Sequence, residues 1–197
     1  YDYLGAAASS LFGASFTTLR ALSLLATTAV LVGLAWQQWR SREGLGATLL
    51  APGFFAAAFV PTATFYDVAR GDVSFVALLF AGFLVVRFRE GLVAAIAGGV
   101  LCGLAVFTKQ PAAVVGAALG LAVLLRRRPD GIAFLAALAI VGGGLCLFEE
   151  VRSDGWFSFY VLTVPSGHAI DHAQLLGFWR DDLFGTSPVL TVLAACG

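Results

Sequence analysis

The chain is organised in apolar blocks separated by short polar connections. A helix crossing the hydrocarbon core of a bilayer needs about 20 mostly apolar residues. On that measure the blocks predict six crossings, over residues 15–36, 44–61, 72–86, 91–108, 111–125 and 131–148, and a truncated seventh over 183–197. The third and fifth are short, at a length where a buried soluble helix or a re-entrant segment competes; alternating with longer blocks in so apolar a chain, they read as spans. The opening YDYLGAAASSLFG is too short to cross and is interrupted by Gly5 and Gly13, which predicts an interfacial helix over 1–14. Residues 149–182 remain as a long loop. The expected fold class is therefore all-α: a polytopic transmembrane helix bundle, forming one domain over 1–197.

Composition strengthens this reading. Hydrophobic residues make up 59% of the chain and charged ones 12%, with a mean hydropathy of +0.90. A soluble domain of this size would expose too much apolar surface to water. The formal net charge is zero, so nothing global favours nucleic acid or another polyanion as partner. Cys102, Cys146 and Cys196 form no C-x-x-C pair, and they suggest neither a disulfide framework nor a zinc site. The chain begins at tyrosine without a signal-peptide pattern, contains no methionine and stops within the apolar run SPVLTVLAACG. It reads as a fragment cut at both ends. Its alanine and glycine richness suggests GC-rich coding and hence a bacterial inner membrane.

The arginines give the blocks a direction. Arg40, Arg42, Arg87, Arg89, Arg126, Arg127 and Arg128 are seven of the 12 basic residues. They occupy three short connections that fall on one side when each block crosses once. The positive-inside rule makes that side cytoplasmic. Opposite lie Asp67, Arg70, Asp72, Lys109, Glu149, Glu150, Arg152, Asp154, His168, Asp171, His172, Asp181 and Asp182, so the chemistry-capable groups collect on the outer side.

Three outer clusters are candidates for chemistry. In FYDVARGDVSF, Asp67 and Arg70 are three apart and would share a face of a short helix; Gly71 can end that helix and Asp72 can cap the next. A structural ion pair and a cap explain these residues blandly, while a charged cluster beside a span can also meet a charged headgroup. In AVFTKQPAAVVG, Lys109 and Gln110 end one span and Pro111 opens the next. A lone lysine at a helix end commonly just snorkels. Here it lies opposite the arginine-rich loops, where the topology rule does not ask for it, and it suits a phosphate whose lipid tail lies among the helices. The loop FEEVRSDGWFSFYVLTVPSGHAIDHAQLLGFWRDD has the aromatic character of a segment lying in the interface. His168 and His172 flank Asp171; two histidines without a third ligand are a weak metal site, a phosphate or hydroxyl contact suits one of them better, and plain loop histidines are the default.

Taken together, the YDVARGD corner, the GVLCGLAVFTKQ span end and the DGWFSFYVLTVPSGH loop resemble the integral-membrane glycosyltransferases of the GT-C fold, in the branch similar to the protein O-mannosyltransferases and aminoarabinose transferases. The resemblance implies transfer of a sugar from a polyprenyl-phosphate donor to a lipid, glycan or protein acceptor on the non-cytoplasmic face. It places Asp67, Arg70, Asp72, Lys109, Gln110 and His168 near the active site. It implies no cofactor, the lipid-linked sugar being a substrate, and indicates no metal. An outer carboxylate would deprotonate the acceptor hydroxyl while Lys109, with Arg70, stabilises the departing phosphate. In that family the base is carried on an earlier outer loop, so it is expected upstream of Tyr1, and the fragment alone is expected to be inactive.

Two other classes compete. A transporter or flippase would place polar groups near the bilayer midplane on broken helices, whereas here Arg20 is the exceptional charge inside a span and Pro52 the one mid-span proline. A non-catalytic membrane assembly subunit would survive alanine at Asp67 and Lys109.

Overall fold

The computed structural model describes residues 1–60, 64–167, 177–186, 188–189 and 191–192, and among these every regular element is helical. The chain divides into two compact units, Tyr1–Asp154 and Gly155–Gly197. The division falls where Asp154 and Gly155 both take positive φ, 53° and 88°, a left-handed step that stops a helix from continuing.

The first unit holds α1 (Asp2–Phe12), α2 (Phe16–Arg40), α3 (Gly44–Ala57), α4 (Asp72–Phe88), α5 (Leu92–Thr108), α6 (Ala112–Arg126), α7 (Arg128–Leu138) and α8 (Gly144–Arg152). A π-helical turn, Ala139–Gly143, joins α7 to α8, so Arg128–Arg152 is one 25-residue helix. It is longer at both ends than the block at 131–148, and its last turns lie inside the expected loop at 149–182. Local chemistry explains the helix boundaries. The Ser15 hydroxyl caps α2 by accepting from the Thr18 amide at 3.1 Å. Gly91, at φ 94°, turns the chain into α5, and Pro129 sits in the first turn of α7, where its missing N–H costs nothing.

Phe16–Arg40 and Arg128–Arg152, of 25 residues each, are long and apolar enough to cross a membrane. Gly44–Ala57, Leu92–Thr108 and Ala112–Arg126 are shorter apolar helices.

Helix α5 is central, packing against α4, α6 and α7, while α2 lies between α4 and α3. Its buried face is made of small residues: Ala94, Ala95, Gly98, Gly99, Cys102, Gly103 and Ala105. A methyl group on Gly103 would sit 2.8 Å from Val141 Cβ and 2.9 Å from the Gly142 amide nitrogen, and one on Gly99 would collide with the Phe134 carbonyl. The G-x-x-x-G spacing thus lets the α5 backbone lie directly on the α7 helix. Phe134 and Cys102 are fully enclosed there, whereas Leu25, Val93, Val114, Leu125, Ile140 and Leu147 point outward and are exposed. The buried face of α5 is thus made of small residues, while many large apolar side chains of the unit point outward.

The second unit contains α9 (Trp156–Ser158), a π-helical stretch Phe159–Thr163, α10 (Val164–Ser166) and a further π-helical stretch Phe178–Gly185. Much of the expected loop is therefore helical where described. The reason is local: Trp156 meets Phe159 and Tyr160 with ring centroids 5.4 and 5.8 Å apart, the three- and four-residue spacing of neighbours on a helix. Of the block at 183–197, residues 183–185 belong to the last π-helical stretch.

Candidate functional site

The ionisable residues from the YDVARGD corner and the TKQP turn meet at one end of the first unit, although 37 residues of chain separate Asp72 from Lys109. The corner itself, residues 64–71, is irregular and is held by α2. Arg20, Ser23 and Thr27 recur at three and four residues, so they share one face of that helix. The Arg20 guanidinium pairs with the Asp67 carboxylate, and its Nε donates to the Asp67 carbonyl at 3.1 Å. The Ser23 hydroxyl, fully buried, donates to the Arg70 carbonyl at 3.2 Å. Thr27 donates to the Tyr66 carbonyl at 2.6 Å, and Phe55 stacks on Tyr66 with centroids 4.4 Å apart. An irregular segment beside apolar helices leaves backbone carbonyls without helical partners; this polar face supplies three of the missing donors.

Beyond the corner the network continues. Arg70 Nε lies 2.9 Å from Asp72 Oδ2, and its guanidinium stacks 4.9 Å above the Phe65 ring. The Asp72 side chain is only 15% exposed and also receives the Lys109 ammonium. Lys109 is the first non-helical residue after α5 and lies 5.7 Å from the Phe75 ring centroid. Gln110 is exposed in the turn beside it, its carbonyl accepting from the Ala113 amide at 2.9 Å. Arg20, Arg70 and Lys109 thus face Asp67 and Asp72, leaving one positive charge in excess.

Two local expectations are corrected here. Asp67 pairs with Arg20 instead of Arg70, and Arg70 with Asp72. Asp72 does not cap α4: Gly71 holds the cap position without a side-chain bond, and Asp72 is the first helical residue. Its carboxylate is drawn instead to two cations, whose charge-assisted bonds are stronger than a bond to a neutral amide. Five of the six expected site residues, Asp67, Arg70, Asp72, Lys109 and Gln110, lie in this end region; His168, like Asp171 and His172, is outside the described residues. Sequence reasoning missed the role of Arg20. Its signal was a lone charge in an apolar helix, aligned with Ser23 and Thr27.

Helix α1 lies against the same end. The Tyr1 hydroxyl donates to the Leu19 carbonyl at 3.0 Å, and a methyl group on Gly71 would sit 3.2 Å from Tyr1 Cβ. The Tyr3 phenol donates to the Glu149 carboxylate and accepts from Arg152. Its pKa is raised above 10.0, chiefly because the Glu149 hydrogen bond holds the proton. Among the described residues no group of three or more histidine, cysteine, aspartate or glutamate side chains gathers as a metal site.

The arrangement can hold an anion. A surplus cation sits beside apolar helices, while both corner carboxylates are engaged in ion pairs. Comparison with family models, curated proteins and solved structures finds no match for this chain.

Proposed function

We propose that the protein is an integral-membrane glycosyltransferase of the GT-C type, using a polyprenyl-phosphate sugar on the outer face of a bacterial inner membrane. The membrane part of this reading is supported by the outward Leu, Val and Ile side chains and by the glycine and alanine face through which the central helix α5 packs, a distribution suited to lipid. Helices α4 and α5, of 17 residues each, span about 25 Å. They are short for a bilayer core of about 30 Å, a mismatch that local thinning and arginines at the helix ends can accommodate.

The observation that carries the catalytic part is the joining of Arg70, Asp72 and Lys109 at the end opposite the arginine-rich connections. The acceptor oxygen forms a bond to the anomeric carbon, the bond from that carbon to the phosphate oxygen breaks, and the acceptor proton passes to a carboxylate outside the described cluster. Lys109 and Arg70 stabilise the charge on the leaving polyprenyl phosphate. Asp72 holds both cations in place.

The test is transfer from a radiolabelled polyprenyl-phosphate sugar by membranes expressing the complete gene. Lys109→Gln is expected to abolish transfer while insertion is unchanged; unchanged transfer would overturn the reading. A non-catalytic assembly subunit is the second reading, favoured by the pairing of both corner carboxylates. It calls for no transfer by the wild type at all.

A further inference from the structure

A second charged site lies at the opposite end of the first unit. A cavity of about 640 Å³ opens between the ends of α4, α5, α6 and α7. Its mouth carries Arg87, Arg89, Arg126 and Arg127 against only Glu90 and Asp130, and its wall carries Phe83, Val86, Leu119 and Val123. The two carboxylates are already engaged. Arg127 lies 3.0 Å from Glu90 and 3.7 Å from Asp130, and Asp130 also accepts from the Gly91 amide at 3.1 Å. These contacts tie the turn before α5 to the start of α7 and give the cavity a fixed rim. Arg87, Arg89 and Arg126 make no ion pair among the described residues.

Topology alone asks for arginines at this end, but it does not ask for a cavity between the helices. Three cations at the mouth and an apolar wall behind them match a ligand with a phosphate at one end and hydrocarbon at the other. Basic pockets between spans suit anionic lipid headgroups for this reason. We infer that this cavity binds one anionic phospholipid, its phosphate held by Arg87, Arg89 and Arg126 and an acyl chain lying along Val86, Leu119 and Val123. The inference rests on the membrane part of the proposed function but not on its sugar chemistry.

The test uses the full chain in phosphatidylcholine nanodiscs containing phosphatidylglycerol, with bound lipid counted by native mass spectrometry after detergent exchange. One phosphatidylglycerol is expected to stay with the wild type. Arg89→Gln with Arg126→Gln is expected to weaken its binding by about thirtyfold, from two headgroup contacts, whereas Arg89→Lys with Arg126→Lys retains it. Arg42→Gln with Arg128→Gln, which removes equal charge outside this cavity, leaves it bound. Equal loss in both glutamine pairs, equal retention of phosphatidylcholine, or displacement by millimolar inorganic phosphate would each overturn the assignment. Release of the wild-type protein from membranes by alkaline carbonate would overturn the membrane reading itself. Sugar transfer is not part of the readout, so failure of the transferase reading stays distinguishable.

Discussion

Lys109, at the end of α5, and Asp72, in the first turn of α4, form an ion pair that closes one end of the helix array. The pair joins two segments that are remote in sequence, and Asp72 shares its carboxylate with Arg70. It is a structural tie, and under the proposed function it also holds the cations that would meet a phosphate. Separating these roles requires perturbing charge and geometry independently.

Asp72→Ala leaves Lys109 and Arg70 without their common partner. A loss of about 2 kcal/mol is expected, between the values for exposed and fully buried pairs. Detergent-solubilised protein unfolded in denaturant and followed by tryptophan fluorescence provides the measurement; a change within error would show the pair to be energetically idle.

The corner at 64–71 is expected to loosen when its α2 donors are removed. Ser23→Ala and Thr27→Val each delete a hydroxyl bound to a corner carbonyl, and each should cost about 1 kcal/mol. Hydrogen exchange at residues 64–71 should then accelerate by about fivefold if the corner opens locally. Thr28→Val is a control, because that hydroxyl bonds only within its own helix, to the Leu24 carbonyl at 2.8 Å.

The contact between α5 and α7 should reject added volume. Gly103→Ala places a methyl group against Val141 and Gly142 and is expected to destabilise by about 1–3 kcal/mol. Gly46→Ala, within α3 and with open space around it, should instead stabilise by about 0.5–1 kcal/mol through helix propensity. Opposite signs for two identical substitutions are the expected thermal-unfolding result.

For the proposed orientation, single cysteines are introduced after replacing Cys102, Cys146 and Cys196 by alanine. An impermeant maleimide applied to intact cells is expected to label Gln110→Cys but not Ser41→Cys until the membrane is opened. Labelling of both, or of Ser41→Cys alone, contradicts the crossing order.

Tyr3 gives a pH signature. Its pKa is raised above 10.0 by the proton it donates to Glu149, so its stabilising contribution is present below pH 10 and is lost as pH rises through the higher folded value. Tyr3→Phe should therefore flatten the alkaline limb of the stability profile.

The helices were legible because apolar blocks of adequate length are local signals, and the turns at Gly91 and Pro111 carry local backbone chemistry. Partners were not. Asp67 and Arg70 are near neighbours in sequence, so local spacing suggested a pair, yet Asp67 is satisfied by Arg20 from another helix, 47 residues away. Only packing of α2 along α4 decides that exchange. The helical turns after Gly155 were hidden for a related reason: aromatic residues read as an interfacial loop by composition, whereas the Trp156, Phe159 and Tyr160 rings pack at helical spacing. The cluster of Asp67, Arg70, Asp72 and Lys109 was legible as a set of residues but not as a network.

The most direct measurement compares sugar transfer from a polyprenyl-phosphate donor by the wild type, Lys109→Gln, and the exchanged pair Asp72→Lys with Lys109→Asp, all expressed from the complete gene. The exchanged pair keeps an ion pair between positions 72 and 109, but it places a cation at the α4 N-terminus and beside Arg70, which loses its partner; a penalty of about 2 kcal/mol is expected, and insertion and folding are checked alongside transfer. Transfer by the wild type, with none by either variant, is the expected result, because the phosphate needs its cation at position 109. Wild-type transfer rates in the exchanged pair would contradict it and reduce Lys109 to a structural tie.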